Sequence, residues 1–284
     1  MNEKILRTKS NGFAALFSIL LLLILSVVGF ISSIALIRNE GLQVVCILLC
    51  ILVFIGSLIL FGGLKVVKPQ EAIVLTLFGE YTGSIKEPGF YFVNPFSVAV
   101  NPAAKTKLGQ SGDVDRQSTP VTISTKGVEA NLDALKNQIS LKIMTLNNSR
   151  QKINDCLGNP VEIGIAVTWR VVDTAKAVFN VDNYKEYLSL QCDSALRNIV
   201  RIYPYDVAPN VDTTGDGIAD EGSLRGSSEV VAKRIRDEIQ ARVENAGLEI
   251  IEARITYLAY APEIAAVMLQ RQQASAIIDA RMMI

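Results

Sequence analysis

Two apolar stretches near the N-terminus decide the fold: Phe13–Ile37, FAALFSILLLLILSVVGFISSIALI, and Leu42–Leu64, LQVVCILLCILVFIGSLILFGGL. Neither contains a charged residue, and each exceeds the about 20 residues that a helix needs to cross a hydrocarbon core of roughly 30 Å. The short link Arg38–Gly41 forces the second helix to return antiparallel. The alternative is a buried hairpin of a soluble protein, but soluble cores do not need two successive helices that are apolar on every face. The sequence therefore predicts a transmembrane helical hairpin.

The charges that flank this hairpin predict its orientation. The N-terminal segment 1–12 is basic, and Lys65 and Lys68 follow the second apolar run. Because positive charges favour the cytoplasmic side, we expect an integral protein of the cell (inner) membrane with both termini and the following domain in the cytoplasm. A signal peptide is the competing interpretation of the first run, but its apolar part would be too long and a second span follows at once.

Composition narrows the possible functions. The formal net charge of the 284 residues is +0, so no general basic field favours a nucleic-acid partner. The chain has no histidine, which removes the commonest general base and metal ligand, and it has no GxSxG, SxxK or Walker A motif. The scattered cysteines fit a reducing compartment rather than a disulfide framework. We therefore expect neither enzymatic activity nor a cofactor.

Period-2 alternation after the hairpin predicts an antiparallel sheet. In the clearest strand, Val161–Val172, every second residue from Val161 is apolar. Ile139–Ile143 and Leu248–Tyr260 alternate in the same way, while Ala72–Phe78 and Tyr81–Ile85 predict two shorter strands across a turn. One face of the Leu248–Tyr260 strand is expected to carry Ile251, Ala253, Ile255, Tyr257 and Ala259.

Capping residues predict helices between these strands. Asp173 can cap a short helix, and Asn183 with Glu186 forms a capping box before a longer one with an apolar stripe. A third helix is expected to begin at Ser227-Ser228 and to stop at Gly247, a residue type that favours helix C-termini. Helices packed on an antiparallel sheet give an α+β fold.

An aromatic segment, Phe90–Phe92 followed by Asn94-Pro95-Phe96, lies soon after the second apolar run. Rings this close to a membrane exit can lie at the level of the lipid headgroups. They can equally pack in the core of a small β unit, and we favour the core.

The segment Asn210–Gly226 is acidic and rich in glycine, which invites comparison with a calcium loop. Thr214 and Ser223 replace two of the carboxylate or amide ligands that such a loop requires, so a solvated loop is favoured. The segment Ser97–Ala134 has no sustained period and predicts a loop insertion or an irregular hairpin. The weak candidate calcium ligands are Asp212, Asp216, Asp220 and Glu221.

Pro262 begins a final helix that is rich in alanine and glutamine. This composition suits a helix that associates with copies of itself, although Arg271 and Ser275 interrupt the apolar stripe and a regular coiled coil is not indicated. The residues expected to contact other copies are Ile264, Met268, Leu269, Arg271, Gln272 and Ile278.

A set of short motifs follows the second apolar run in a fixed order along the chain. Near the membrane they are Val67-Lys68-Pro69-Gln70-Glu71-Ala72, Phe78-Gly79, Pro88-Gly89-Phe90 and Asn94-Pro95-Phe96. Further on they are Gly158-Asn159-Pro160-Val161-Glu162-Ile163, Val167-Thr168-Trp169-Arg170-Val171-Val172-Asp173, Ala195-Leu196-Arg197, Tyr203-Pro204-Tyr205-Asp206, Gly247-Leu248-Glu249-Ile250-Ile251-Glu252-Ala253, Leu258-Ala259-Tyr260-Ala261-Pro262-Glu263-Ile264 and Gln270-Arg271-Gln272-Gln273-Ala274. Together these motifs resemble those of the stomatin/prohibitin/flotillin (SPFH, or band 7) family.

The resemblance implies an SPFH-type α+β domain over residues 65–260, with insertions near 97–134 and 210–226. The hairpin precedes it, and residues 261–284 are the start of an oligomerisation helix. The resemblance also implies lateral assembly into large rings or cages that organise membrane microdomains and, in some members, regulate membrane proteases. Family members usually extend this helix further, so either the chain is shortened or its contacts are smaller than usual.

From these observations we expect a non-enzymatic membrane scaffold. Its expected partners are membrane lipids, further copies of the chain, and a membrane protease or another membrane protein. The alternative is a regulatory subunit of a membrane protease or channel that acts in a small complex.

Overall fold

The computed structural model describes residues 2–6, 11–36, 40–108, 114–116, 137–148, 150–206 and 222–282. The α-helices are α1 (Gly12–Leu36), α2 (Glu40–Phe61), α3 (Thr174–Phe179), α4 (Tyr184–Val200), α5 (Ser228–Val243) and α6 (Pro262–Met282). The strands are β1 (Leu64–Val67), β2 (Glu71–Leu77), β3 (Glu80–Ile85), β4 (Gly89–Phe92), β5 (Val98–Ala99), β6 (Thr106–Leu108), β7 (Val114–Arg116), β8 (Ile139–Ser140), β9 (Met144–Asn147), β10 (Gln151–Asn154), β11 (Pro160–Val171) and β12 (Leu248–Tyr260). They form two compact units, residues 1–104 with 131–141 and residues 105–130 with 142–284.

Helices α1 and α2 confirm the predicted helical hairpin. The most apolar windows of α1 and α2 have mean hydropathies of 2.9 and 3.3, and only 11% and 6% of those windows are buried. A core helix of a soluble protein would be mostly buried, so this exposure favours the membrane. The second helix ends at Phe61 and not at Leu64, because Gly62 and Gly63 form a closing turn and Leu64 begins β1.

The buried face of α1 has a seven-residue spacing and includes two small serine side chains. Ile19, Ser26 and Ser33 are the buried residues of α1 that follow this spacing. An added Cβ at Gly29 would lie 3.1 Å from the Cys50 Sγ of α2, which shows how closely the helices approach. Small residues and a seven-residue period are typical of left-handed helix pairs in membranes.

The first unit builds a small β core beside this hairpin. Strand β2 pairs antiparallel with β3, β5 and β8, and β1 pairs antiparallel with β4. The β2–β3 pair confirms the predicted pair of strands. The buried cluster consists of Val67, Ile73, Leu75, Ile85 and Tyr91.

The second unit is centred on β11. Strands β9 and β10 pair along one edge of β11 and β12 along the other, all antiparallel. The predicted apolar face is confirmed, because its side chains are fully buried or nearly so: Val161, Ile163, Ile165, Val167, Trp169 and Val171. These two units of antiparallel strands and helices make the fold α+β, as expected.

Helices α3, α4 and α5 begin where their caps predict. The Asp173 carboxylate accepts a hydrogen bond from Lys176 N, and the Asn183 side chain accepts from Lys185 N and Glu186 N. The α5 helix begins at Ser228, but the Ser227 side chain makes no capping hydrogen bond within the described residues.

Side chains join the helices to the sheet. The side chain of Gln240 in α5 donates a hydrogen bond to Leu248 O at 3.2 Å and accepts one from Ile250 N at 2.7 Å. These bonds give two backbone groups of β12 a hydrogen-bond partner. From α4, the Tyr187 hydroxyl donates to Arg242 O of α5 at 3.0 Å.

Two predicted strands need correction. In β12, Ile251 was expected to share a face with Ala253, but Ile251 is 39% exposed, whereas Ala253 and Ile250 are 5% and 1% exposed. The register shifts between Thr168 and Trp169 of β11, so Ile251 forms an extra residue that exchanges the two faces of the strand. The strand predicted over Ile139–Ile143 is only the two-residue β8.

The segment 97–134, which the sequence predicts to be a loop insertion or an irregular hairpin, contains β5 and the antiparallel pair of β6 and β7. Residues 109–113, 117–136 and 207–221 lie outside the described residues, and the last of these ranges includes most of the acidic segment 210–226.

Gly247 closes the turn that follows α5, as the sequence predicts, and has a left-handed conformation with φ +68°. Its carbonyl accepts hydrogen bonds from Val172 N and Asp173 N, so the backbones pass very close together. A Cβ at this position would overlap the carbonyl oxygen of Asp173.

We expect Gly247→Ala to lower the free energy of unfolding by about 2–5 kcal/mol, because left-handed strain adds to an overlap with backbone. Gly158→Ala is the matched control, since Gly158 also has a positive φ of +84° but no atom lies within 4 Å of its added Cβ. The control should lose only about 1–2 kcal/mol. Thermal unfolding in detergent measures both, and equal losses would contradict this explanation.

Candidate functional site: a membrane-proximal base and an exposed C-terminal helix

The chain on either side of the hairpin meets in one small structure, which we call the base (residues 2–6, 11–13 and 62–99). Lys4 O accepts a hydrogen bond from Ser84 N at 2.8 Å, and Leu6 N donates to Ser84 O at 2.9 Å. The Lys86 ammonium lies 2.6 Å from the Glu3 carboxylate. The N-terminal segment therefore adds to β3, and both ends of the hairpin lie at the same end of the helix pair.

The base also holds the first turn of α1 against β4. The Phe13 and Phe90 rings meet edge to face with centroids 5.2 Å apart, and Phe92 N donates to the Asn11 side chain at 3.3 Å. In the turn that follows α2, Gly63 O accepts a hydrogen bond from Val93 N at 2.9 Å. Cleavage of the first helix as a signal peptide would remove the residues that make the first two contacts.

The residues of the aromatic segment differ in burial, so neither the core interpretation nor the headgroup interpretation applies to all of them. Tyr91 is buried in the β core and its hydroxyl donates to Glu87 O at 3.1 Å, while Phe90 and Phe92 are half-buried. Phe96 lies on the surface. The core interpretation therefore holds for Tyr91 but not for Phe96.

Helix α6 carries the residues predicted to contact other copies. Ile264 and Met268 are half-buried, whereas Leu269, Arg271 and Ile278 are exposed. The side chain of Gln272 lies outside the described residues. Val267 and Ile277 are two further exposed apolar residues on the same helix, and they were not among the predicted contacts. Their apolar side chains on this helix could have identified them as candidate contacts.

The start of α6 is held firmly at the end of β12. The buried Ala261 donates its N–H to Pro160 O at 2.9 Å. The ring centroids of Tyr205 and Tyr260 are 3.9 Å apart. The Lys152 ammonium lies 2.6 Å from Glu263, and this hydrogen bond holds the pKa of the Glu263 carboxyl below its usual range. The helix therefore leaves the second unit at a fixed point.

A carboxylate that the sequence analysis did not single out organises the neighbouring turn. Buried Asp155 accepts hydrogen bonds from Leu157 N, Asn159 N, the Asn159 side-chain amide and Tyr205 N, at 2.8–3.2 Å. An Asp three residues before a glycine is a turn signal, but the bond to Tyr205 joins residues far apart in the chain.

Tyr260 gives the start of α6 a predictable pH dependence. Burial, with the nearby carboxylates of Asp206 and Asp155, raises the pKa of Tyr260 to about 12. The folded state therefore disfavours the phenolate, and this contribution to stability is complete below about pH 10 and is lost as the pH rises to about 12.

We expect the loss of stability between pH 9 and 12 to be less steep in Tyr260→Phe than in the wild type. Thermal unfolding at a series of pH values measures the difference. Identical slopes for the two proteins would contradict this role.

Metal ligands and activated thiols are two kinds of group that could support chemistry among the described residues. No group of three or more His, Cys, Asp or Glu residues among them could hold a metal ion. Desolvation and a neighbouring carboxylate raise the pKa of both Cys156 and Cys192, which leaves neither thiol activated. The candidate calcium ligands Asp212, Asp216, Asp220 and Glu221 lie outside the described residues and stay a prediction.

The fold and its base define a membrane-associated α+β protein with two N-terminal apolar helices and a C-terminal helix. The family model described as "SPFH domain / Band 7 family" matches residues 65–283, most of the chain. The chain therefore belongs to the SPFH/band 7 family, as the motifs indicated. A search of curated proteins found no match. Members of this family are generally non-enzymatic scaffolds, which is consistent with a membrane scaffold or regulator.

Proposed function

We propose that the protein is a non-enzymatic membrane scaffold whose copies assemble into large rings or cages that organise membrane microdomains and associated membrane proteins. One observation carries this proposal: α6 continues for 21 residues from a firmly held start, with apolar side chains exposed along it. A helix of this length extends about 31 Å. Exposed apolar surface on that scale indicates a protein partner.

The proposed arrangement places the SPFH-type domain at residues 65–260 and the oligomerisation helix at residues 261–284. The hairpin lies in the cell (inner) membrane, with both termini in the cytoplasm. The contact of residues 2–6 with β3 supports a common side for the two ends of the hairpin, and the basic flanks support the cytoplasmic side.

The second candidate function is regulation of a membrane protease or channel in a small complex. It is supported by a groove of about 630 Å³ between α5 and β12. Charges of both signs line the groove, from Glu229, Lys233, Arg236, Glu252 and Arg254, and these suit a polar segment of a partner.

Cross-linking in native membranes tests assembly through α6. In a Cys156→Ser background, Ile278→Cys places an exposed thiol on the helix, and Ile278→Ser is the matched control. The scaffold predicts a band of two linked copies with a thiol cross-linker, because one accessible thiol per chain joins only two chains, and no such band in the control. Monomer alone would contradict assembly through α6, and a single band shared with a different protein would favour the second candidate.

A further inference from the structure

The tip of the β2–β3 hairpin exposes a phenylalanine in an unfavourable backbone conformation. Phe78 is 88% exposed and has φ +49°, followed by Gly79 at φ +91°. Bulky residues rarely occupy the left-handed region, because the Cβ approaches the neighbouring carbonyl. Its ring stacks on that of Phe96 with centroids 6.2 Å apart, and Phe96 is itself 56% exposed. We call Phe78 and Phe96 the aromatic pair.

The aromatic pair lies close to the end of the second apolar helix. An added Cβ at Gly62, which directly follows α2, would lie 3.5 Å from the carbonyl oxygen of Pro95, the residue before Phe96. Val98 of β5, two residues after Phe96, pairs with Thr76, two residues before Phe78. This pairing holds the two phenylalanines next to each other.

The length of α2 relates this position to the bilayer. Its 22 residues span about 33 Å, close to the roughly 30 Å of a hydrocarbon core. Gly62 therefore lies at the hydrocarbon boundary when the helix spans the membrane. The headgroup layer beyond that boundary is about 5–7 Å thick, so the residues next to Gly62 lie within it.

We infer that the aromatic pair inserts into the headgroup layer of the bilayer and forms a second membrane contact beside the hairpin. The exposed Val98 extends the apolar surface, and Glu80, on the far side of the turn, is exposed. Aromatic rings are favoured at this interface. The inference rests on the membrane-spanning part of the proposed function and does not require assembly into rings.

Tryptophan fluorescence of the full chain in lipid vesicles tests the insertion. Phe78→Trp and Phe96→Trp place a reporter at each ring, and the buried Trp169 is kept in every variant as a constant background. Gln70→Trp is the matched control, since Gln70 is also exposed with a positive φ, of +61°. It lies at the opposite end of β2 from Phe78, about 26 Å away along the strand. Flotation after alkaline extraction first confirms that the hairpin is inserted.

We expect lipids brominated near the headgroup to quench Phe78→Trp or Phe96→Trp at least twofold more than Gln70→Trp. Either aromatic position suffices, so the test survives if one variant does not fold. Equal quenching at all three positions would overturn the inference. Blue-shifted emission without lipid quenching would also overturn it, because protein, such as a second copy of the chain, would then cover the pair. Failure of flotation would instead contradict the membrane span itself.

Discussion

Truncation of the chain after Ala261 is expected to leave a folded, membrane-inserted protein that no longer forms large assemblies. The truncated chain keeps the hydrogen bond from Ala261 to Pro160 and the stacking of Tyr205 on Tyr260. It loses the exposed ion pair of Glu263 and the contacts of the half-buried Ile264 and Met268, while the other described side chains of α6 are exposed. Stability should therefore change little, while assembly should be lost.

Particle size after mild detergent extraction measures this effect, and thermal unfolding checks that the domain remains folded. A second, full-length variant, Val267→Asn with Ile278→Asn, tests the same surface without truncation. These two positions are eleven residues apart and lie on nearly the same side of the helix. This variant should also shrink the particles. Particles of unchanged size after truncation would show that other surfaces hold the copies together.

Two arginines in the middle of α2 should move the domain to the other side of the membrane. Leu48 and Leu52 are 61% and 71% exposed, so neither packs strongly on α1. Each arginine costs about 2.5–3.5 kcal/mol at the centre of a membrane helix, so Leu48→Arg with Leu52→Arg costs about 5–7 kcal/mol. With α2 excluded from the bilayer, the domain follows α1 alone and is carried across.

Protease access to a tag at Ile284 in intact cells measures this change in topology. The tag should be protected in the wild type and in the Leu48→Ala, Leu52→Ala control, and digested in the double arginine variant. If the hairpin were part of a soluble protein, arginines at such exposed positions would leave the tag unchanged. Digestion of the wild-type tag from outside would reverse the proposed orientation.

The parts of the fold that the sequence predicts are those set by neighbouring residues. The hairpin follows from unbroken apolar composition, the face of β11 from strict alternation, and the starts of α3 and α4 from single capping side chains. Gly247 likewise closes the turn after α5, because glycine readily adopts the left-handed conformation found there.

The remaining features depend on contacts between distant residues, which no local pattern shows. The bulge at Ile251 exists only because β11 pairs with β12 across a register shift. The addition of residues 2–6 to β3 joins segments separated by the whole hairpin. The turn around Asp155 is completed by Tyr205 N in the same way.

The candidate interaction surfaces were predictable only in part. The composition of α6 indicated that it associates with other copies. The exposure of Val267 and Ile277 in the structure adds these two residues to the candidate contacts. The aromatic segment suggested both a core and a membrane position, and the structure assigns Tyr91 to the core and leaves Phe96 at the surface. Phe78 was missed, because its exposure follows from the turn between β2 and β3.

The native mass of the purified wild-type chain in mild detergent tests assembly most directly. A scaffold of rings or cages predicts particles of many copies, each of 30.9 kDa, in a narrow mass distribution after correction for bound detergent. A monomer at 30.9 kDa across the concentrations measured would contradict the proposed function.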